Sequence, residues 1–256
     1  MEPTREPGSR SQNLANLGWW VRLLDPTRYL REVERVRARL PRVHRDERAE
    51  SFAGAAIAIL LAIGLQYFLP HRVTQYQRWV FPTVAGVLLL ALVIGHRERL
   101  DRPSPVLRGL TLLTIAVMSV ANGVAGLRLV RDLIEGEGIK KPGTLLFAGA
   151  AIWLTNVIVF ALVFWMFDRG GPVSRFLVQS TPPDLLFPQH EMTSGAEGWR
   201  PYFFDYFYTS FTNATAFSPT DVMPLARWAK FAMLLESSLS LVLAILVVAR
   251  AVNILD

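Results

Sequence analysis

The chain has 256 residues, 52% of them hydrophobic, and a net charge of +6 at pH 7. The mean hydropathy of +0.30 indicates a membrane protein and argues against nucleic-acid binding as the reason for the positive charge. Cysteine is absent, which excludes disulfides, thiol chemistry and cysteine-based zinc sites. The histidines are scattered and none lies at metal-ligand spacing from another, so we expect no metal and no cofactor.

Residues 1–50 form a polar N-terminal segment. Asp25 and Pro26 are typical of a helix start. Apolar residues then recur every three or four positions, at Leu30, Val33, Val36 and Leu40. This spacing predicts an amphipathic helix that ends at Pro41. A helix on the membrane surface and a helix that packs between subunits both fit the pattern.

Five apolar segments follow, each near the roughly 20 residues that cross a bilayer core. They cover about residues 52–69, 79–95, 109–130, 144–167 and 228–252. A spanning segment must satisfy its own backbone hydrogen bonds, so we expect helices. The sequence predicts an all-α, multi-pass integral membrane protein with five transmembrane helices, three of them within 51–135. Because arginine greatly outnumbers lysine, we expect a bacterial inner-membrane protein.

The region between the last two segments fits neither a span nor a simple loop. PYFFDYFYTSF, residues 201–211, is aromatic and about half a span in length, and the polar stretch TNATAFSPTD, residues 212–221, follows it. A short apolar helix, a polar turn and a spanning helix are typical of a re-entrant segment, which needs protein or water to shield its backbone. Residues 144–256 are therefore predicted to form one module with a spanning helix, an extramembrane loop, a re-entrant helix with its loop, and a second spanning helix.

The stretch YTSFTNATAFSPTD resembles the pore loop of potassium-channel-like proteins with two transmembrane helices per module. Ser210 and Phe211 match a Ser-Phe pair of the pore helix, Thr215 matches the first threonine of the filter TTVGYGD, and Asp221 matches its closing aspartate. Residues 224–254 resemble the inner helix of bacterial members. The segments IWLTNVIVFALVFWMFDRGGP and FTNATAFSPTD are also similar to uncharacterised bacterial membrane proteins of the DUF1345 type, whose pore-loop equivalent is degenerate.

The departures from the potassium filter affect the expected function. Ser218 and Thr220 replace the two glycines whose backbone geometry aims carbonyls at the ion. Pro219 replaces the tyrosine, Phe217 the valine and Ala216 the second threonine. Ser and Thr disfavour positive φ, and proline fixes its own φ. The resemblance therefore implies a channel-like protein without the usual potassium selectivity.

The polar side chains of the loop offer other ways to handle an ion. Hydroxyl or amide oxygens that could line a short constriction belong to Thr212, Asn213, Thr215, Ser218 and Thr220. One module cannot surround a pore, so we expect a homotetramer, in which Asp221 forms a ring of carboxylates that concentrates cations. The expected function is weakly selective permeation of monovalent cations. The alternative is that the loop plugs the centre and the protein is a non-conducting scaffold or sensor.

Polar residues also lie within the predicted spans. Glu236, with Ser237 and Ser240 nearby, is about two turns into the last one. An unpaired acid there costs on the order of 3 kcal/mol, so we expect Glu236 either to face a water-filled cavity or to brace the pore helix. Asn122 and Asn156 are expected to join helices. No span has a histidine or cysteine in its interior, and we expect no enzymatic activity.

Two patterns in the sequence predict opposite orientations in the membrane. More arginines flank the N-terminal side of the spans than the other side, which favours a cytoplasmic N-terminus and a pore loop that enters from the cytoplasm. The channel resemblance implies an external pore loop. The inner-helix match is the more detailed pattern, and it favours the channel arrangement.

Overall fold

A computed structural model describes residues 50–74, 79–98, 104–135, 139, 141–177, 183–192, 199–215 and 221–255. The amphipathic helix predicted for the N-terminal segment lies outside these ranges, and so do Ala216, Phe217, Ser218, Pro219 and Thr220. The described chain is mostly helical, with α1 (Ala53–Tyr67), α2 (His71–Thr74), α3 (Val80–Glu98), α4 (Pro105–Ile134), α5 (Pro142–Phe167), α6 (Pro172–Leu177), α7 (Phe203–Thr215) and α8 (Arg227–Leu255).

Three of the described helices are long and apolar enough to cross a membrane. They are Pro105–Ile134, the stretch Pro142–Gly170 that contains α5, and Arg227–Ile254. The first two predicted spans form shorter apolar helices, Ala53–Tyr67 and Val80–Gly95. At about 1.5 Å per residue, the 15 residues of α1 cover about 22 Å of a hydrocarbon core that is about 30 Å thick. The structure thus agrees with a membrane protein that has three candidate spans.

The starts of the two central helices follow from local sequence. The Ser104 side chain accepts a hydrogen bond from the Leu107 backbone N–H at 3.4 Å, and Pro105 is the first residue of α4. Pro142 likewise opens α5. A serine cap satisfies a backbone donor that lacks an intrahelical partner, and proline at the first position has no such donor. These residues fix where the two long helices begin.

Helix α5 lies at the centre of the described structure. It packs against α1, α4, α7 and α8. The buried share of the most apolar stretch is 67% for α5, compared with 39% for α4 and 33% for α8. Much of the surface of α4 and α8 is therefore exposed in the described structure.

The chain leaves α5 through a tight turn, Asp168–Gly170. Arg169, Gly170 and Gly171 have φ values of +49°, +81° and +106°. A Cβ atom on Gly171 would lie 3.1 Å from the Met166 carbonyl oxygen, so glycine is needed there for space as well as for backbone conformation. The turn redirects the chain into α6 and leaves Asp168 at the end of the bundle.

Contacts between helix ends show that α4 and α5 run in opposite directions. Arg108, at the start of α4, donates a hydrogen bond to the Gly170 carbonyl at the end of α5. Arg128, near the other end of α4, donates to the Thr74 carbonyl after α1 at 3.1 Å. We call the end with Arg108 and Asp168 the Asp168 end, and the end with Arg128 the Arg128 end.

A small antiparallel ladder lies at the Asp168 end, where the sequence predicted only helices and loops. It pairs β1 (Leu185–Leu186) with β2 (Met223–Pro224), with Leu185 opposite Pro224. The Leu185 backbone N–H donates to Oδ1 of Asp168 at 3.3 Å. The ladder therefore holds the chain on both sides of α7 close to the end of α5.

Candidate functional site

Helix α7 starts at the Asp168 end and runs along α5 to about its middle. The Tyr206 hydroxyl donates to Asp168 at 2.5 Å. One turn further, the Ser210 hydroxyl donates to the Val157 carbonyl at 2.8 Å. The rings of Phe211 and Trp153 then pack with their centroids 5.5 Å apart. Each turn of α7 thus contacts a residue of α5 nearer to its centre.

One face of α7 is buried and the other is exposed and aromatic. The buried residues are Phe203, Tyr206, Thr209, Ser210 and Ala214. The exposed large side chains include Phe204, Tyr208 and Phe211. Spacings of three and four residues put each set on one face of a helix. The polar side chains of the buried face therefore point into the interface with α5 and α8.

Glu236 of α8 is fully buried and holds α7 in place. Its Oε2 accepts a hydrogen bond from the Asn213 amide at 2.7 Å, and its Oε1 lies at hydrogen-bonding distance from the Ser210 hydroxyl oxygen. The Asn213 amide also donates to the Met233 carbonyl at 2.9 Å. The side chain is 0% exposed. Glu236 of α8 thus contacts two side chains of α7.

The other intramembrane polar residues also connect helices. The Ser237 hydroxyl contacts Oδ1 of Asn213 at 3.0 Å. The Asn156 amide donates to the Ser240 hydroxyl at 3.2 Å, which links α5 to α8. The Asn122 amide donates to the Ile152 carbonyl at 3.2 Å, which links α4 to α5. Both asparagines thus join helices, as expected for amides in a membrane interior.

Some of the residues predicted to line a polar constriction lie within α7, and the others follow its last residue, Thr215. Thr212 and Thr215 lie in its last turns, and their hydroxyls donate to carbonyls of their own helix at 2.9 Å. Asn213 is occupied with Glu236 and Met233. Asp221 is exposed and lies just before β2. Of the predicted pore-loop residues after Thr215, the structure describes Asp221.

A second buried polar cluster joins α7 to the end of α5. Asp168 is 0% exposed. Its Oδ1 accepts the backbone N–H groups of Asp184 at 2.9 Å and Leu185 at 3.3 Å, and its Oδ2 accepts the Tyr206 hydroxyl. The guanidinium carbon of Arg175 lies 4.8 Å from the centre of the Tyr206 ring. The described partners of the Asp168 carboxylate are thus all hydrogen-bond donors, and Arg175 donates to the Asp168 backbone carbonyl at 3.2 Å.

Glu50 connects the residues before α1 to the first turn of α7. Its carboxylate accepts the Phe203 backbone N–H at 2.5 Å and the Trp165 indole N–H at 2.8 Å. Arg175 lies 3.5 Å from the same carboxylate. Burial raises the pKa of Glu50, and Arg175 lowers it by less. Phe203 is the first residue of α7, so Glu50 satisfies one of the backbone donors that a helix start leaves free.

His190 lies at the Asp168 end, in the turn after β1. Its Nε2 is 3.0 Å from the Arg169 guanidinium, and its Nδ1 accepts the Phe187 backbone N–H at 3.2 Å. Burial lowers the pKa of His190, and the positive charge of Arg169 lowers it further. The surroundings of His190 thus favour the neutral ring.

Sequence reasoning did not identify the cluster of Glu50, Asp168, Arg175 and Tyr206. The Glu50 contacts with Trp165 and Phe203 join positions 115 and 153 residues apart, and no local pattern pairs such distant residues. One usable signal was an acid at the end of an apolar span followed by Arg169 and two glycines. An acid placed there is costly unless it is satisfied by nearby donors.

Within the described ranges, no group of three or more His, Asp or Glu side chains is placed to hold a metal ion. The chain matches no protein-family model, no curated protein and no solved structure.

Proposed function

We propose that the protein is a homotetrameric, ion-channel-like protein of the bacterial inner membrane that passes monovalent cations with weak selectivity. In each subunit, α5, α7 and α8 form the pore module, and the chain between α7 and α8 lines the pore. The proposal rests on the path of α7. The helix starts at the Asp168 end, reaches the middle of α5 and is followed by a strand back at the Asp168 end. A helix that reaches only the middle of α5 before the chain returns to the same end supports a re-entrant pore helix.

Helix directions support five crossings of the membrane. Arg108 and Arg128 tie the two ends of α4 to opposite ends of the bundle. Gly95, near the end of α3, lies against Leu107 at the start of α4. Helices α1 and α3 thus lie between the same two ends as α4. We infer that both cross, with flanking residues or a locally thinner bilayer making up the missing length.

The surface of α8 supports assembly into a closed ring. Only 33% of its most apolar part is buried within the chain. Large apolar side chains remain exposed along its length, including Phe231, Leu235, Leu239, Leu241, Ile245 and Val248. In a cyclic tetramer the same surface of each copy would meet its neighbours around the axis. Part of the exposed surface of α8 would then be covered by protein and part by lipid.

Asp221 is the described residue that best fits a role in cation passage. It is exposed and directly follows residues 216–220. In that stretch serine, proline and threonine stand where the potassium filter has Gly-Tyr-Gly. Four such carboxylates around an axis raise the local concentration of cations without selecting among them. Weak selectivity among monovalent cations follows from this combination.

The test is ion flux into proteoliposomes that contain protein first shown to be tetrameric. Potassium, sodium and chloride are compared for the wild type, for Asp221→Asn and for Glu191→Gln. Glu191 is an exposed acid at the same end, so its variant is a matched control for loss of charge. We expect flux of both cations without chloride, a lower flux for Asp221→Asn and an unchanged flux for Glu191→Gln.

The other outcomes separate the rival roles. Equal flux for the wild type and Asp221→Asn removes the carboxylate ring. Absence of flux for any ion, with voltage and pH varied, supports the alternative of a non-conducting scaffold or sensor. A stable monomer in detergent and in bilayers contradicts the tetramer.

A further inference from the structure

Two described carboxyl groups, Asp168 and Glu236, have side chains that are 0% exposed, yet their surroundings differ. Asp168 accepts two backbone N–H groups and the Tyr206 hydroxyl, and Arg175 lies nearby. These contacts compensate a negative charge. Glu236 is contacted by one amide and one hydroxyl, and no charged side chain among the described residues acts on it.

The orientation of the Asn213 amide fixes which oxygen of Glu236 accepts. The amide nitrogen lies 2.9 Å from the Met233 carbonyl oxygen, which can only accept. A flipped amide would put two oxygens against each other. The same nitrogen therefore donates its second hydrogen to Oε2 of Glu236 at 2.7 Å. Any proton on Glu236 consequently lies on Oε1, which faces Ser210.

The Ser210 hydroxyl has too few protons for its contacts. It lies 2.8 Å from the Val157 carbonyl oxygen and also at hydrogen-bonding distance from Oε1 of Glu236. Each of these close contacts between oxygens needs one proton, and a serine hydroxyl supplies only one. If Ser210 donates to Val157, the second proton must come from Glu236, which then donates to the Ser210 oxygen.

We propose that Glu236 is an intramembrane proton-binding site, in which the carboxyl group holds a proton on Oε1 and donates it to Ser210. In this state Glu236, Ser210, Asn213 and the Val157 carbonyl are all satisfied, and no buried charge is left uncompensated. A proton is the ligand that this site accommodates, because α5, α7 and α8 present only amide, hydroxyl and carbonyl groups to it.

Loss of that proton disrupts the contact between α7 and α8. When Glu236 is charged, its Oε1 and the Val157 carbonyl oxygen compete for the single proton of the Ser210 hydroxyl. The negative charge is also buried, with no cation near it among the described residues. Since Ser210 and Asn213 lie in the last two turns of α7, we infer that deprotonation loosens this end of α7 from α8 and changes permeation. This second step depends on the proposed channel function, whereas the proton site itself does not.

Infrared spectroscopy of the whole protein in liposomes tests the proton site directly. A protonated carboxyl group has a carbonyl band that a carboxylate lacks. At neutral pH we expect this band in the wild type, its loss in Glu236→Gln and its retention in Asp168→Asn, since Asp168 lies outside the contacts of Glu236 and accepts a separate set of donors. Ser210→Ala removes the proton acceptor and should shift the band without abolishing it. It also serves as the second variant if Glu236→Gln does not fold.

The results separate failure of the site from failure of the channel. A wild-type spectrum without the band, or a band that neither Glu236→Gln nor Ser210→Ala changes, overturns the proton site. For regulation, cation flux is measured as pH is raised. We expect flux to change at the pH where the band disappears and to be insensitive to pH in Glu236→Gln. A band that titrates while flux stays constant overturns the regulatory step. A band without flux at any pH leaves the proton site established and contradicts the channel.

Discussion

The Tyr206 hydroxyl donates a hydrogen bond of 2.5 Å to Oδ2 of Asp168, which joins the first turn of α7 to the end of α5. Both side chains are 0% exposed. The same carboxylate accepts the Leu185 backbone N–H, so it also holds the strand that pairs with the chain returning from α7. Asp168 therefore joins the end of α5 to the first turn of α7 and to β1.

Replacing Asp168 with alanine should destabilise the protein more than replacing Tyr206 with phenylalanine. Asp168→Ala leaves two backbone donors and a hydroxyl without an acceptor, and each such buried group costs about 1–3 kcal/mol. Tyr206→Phe removes a single hydrogen bond and should cost about 1–3 kcal/mol. The free energy of unfolding in mixed micelles measures both effects.

Asp168→Asn is the informative control. The asparagine oxygen can still accept both backbone N–H groups, and its amide can donate to the Tyr206 oxygen with the direction of that bond reversed. We expect its stability to lie between those of the wild type and Asp168→Ala. Equal losses for Asp168→Ala and Tyr206→Phe would show that the backbone contacts of Asp168 contribute little.

Gly149→Ala should weaken the packing of α5 against α8. A methyl group at Gly149 would lie 2.8 Å from both γ carbons of Val247. Overpacking of this kind costs about 1–3 kcal/mol. The control is Gly123→Ala in α4, where an added Cβ meets nothing within 4 Å. We expect that variant to match or slightly exceed the wild type, because alanine favours helix over glycine. If both variants were less stable than the wild type, the cause would be something other than contact with Val247.

Hydrophobic runs were sufficient to predict the long helices. The last three predicted spans lie within α4, α5 and α8, and each helix extends a few residues further. The short aromatic helix was also predicted, but it continues through Thr215. Asn213, which lies in the extension, contacts Glu236 of α8, and a contact between distant residues leaves no local signal in the sequence.

The candidate site was predicted less completely than the helices. Glu236 stood out because an acid within an apolar run requires an explanation. Its partners could not be chosen, since several hydroxyl and amide residues were within plausible reach. The role of Glu50 was not predicted, because its contact with Phe203 depends on α1 and α7 meeting at the same end of α5.

The stability of the Asp168 end should fall as the solution becomes acidic, through His190. Burial and then Arg169 lower the pKa of His190 below its ordinary value of 6.5. Below pH 6.5 the unfolded chain binds a proton at this ring before the folded chain does, so the free energy of unfolding decreases as pH falls toward the folded-state pKa. His190→Gln cannot take up this proton. Unfolding measured between neutral and mildly acidic pH should show a smaller pH dependence for the variant, and equal slopes would exclude His190 as the cause.

The absence of cysteine allows the orientation to be measured with single introduced cysteines. Glu191 is exposed at the Asp168 end, and Glu135 is exposed at the Arg128 end beside Arg131. In the channel arrangement the Asp168 end faces outward, because α7 starts there. Intact cells treated with a membrane-impermeant maleimide should then label Glu191→Cys, and Glu135→Cys should react only after permeabilisation. The reverse pattern contradicts the channel arrangement and supports the orientation that the arginine distribution favours, with a pore loop that enters from the cytoplasm.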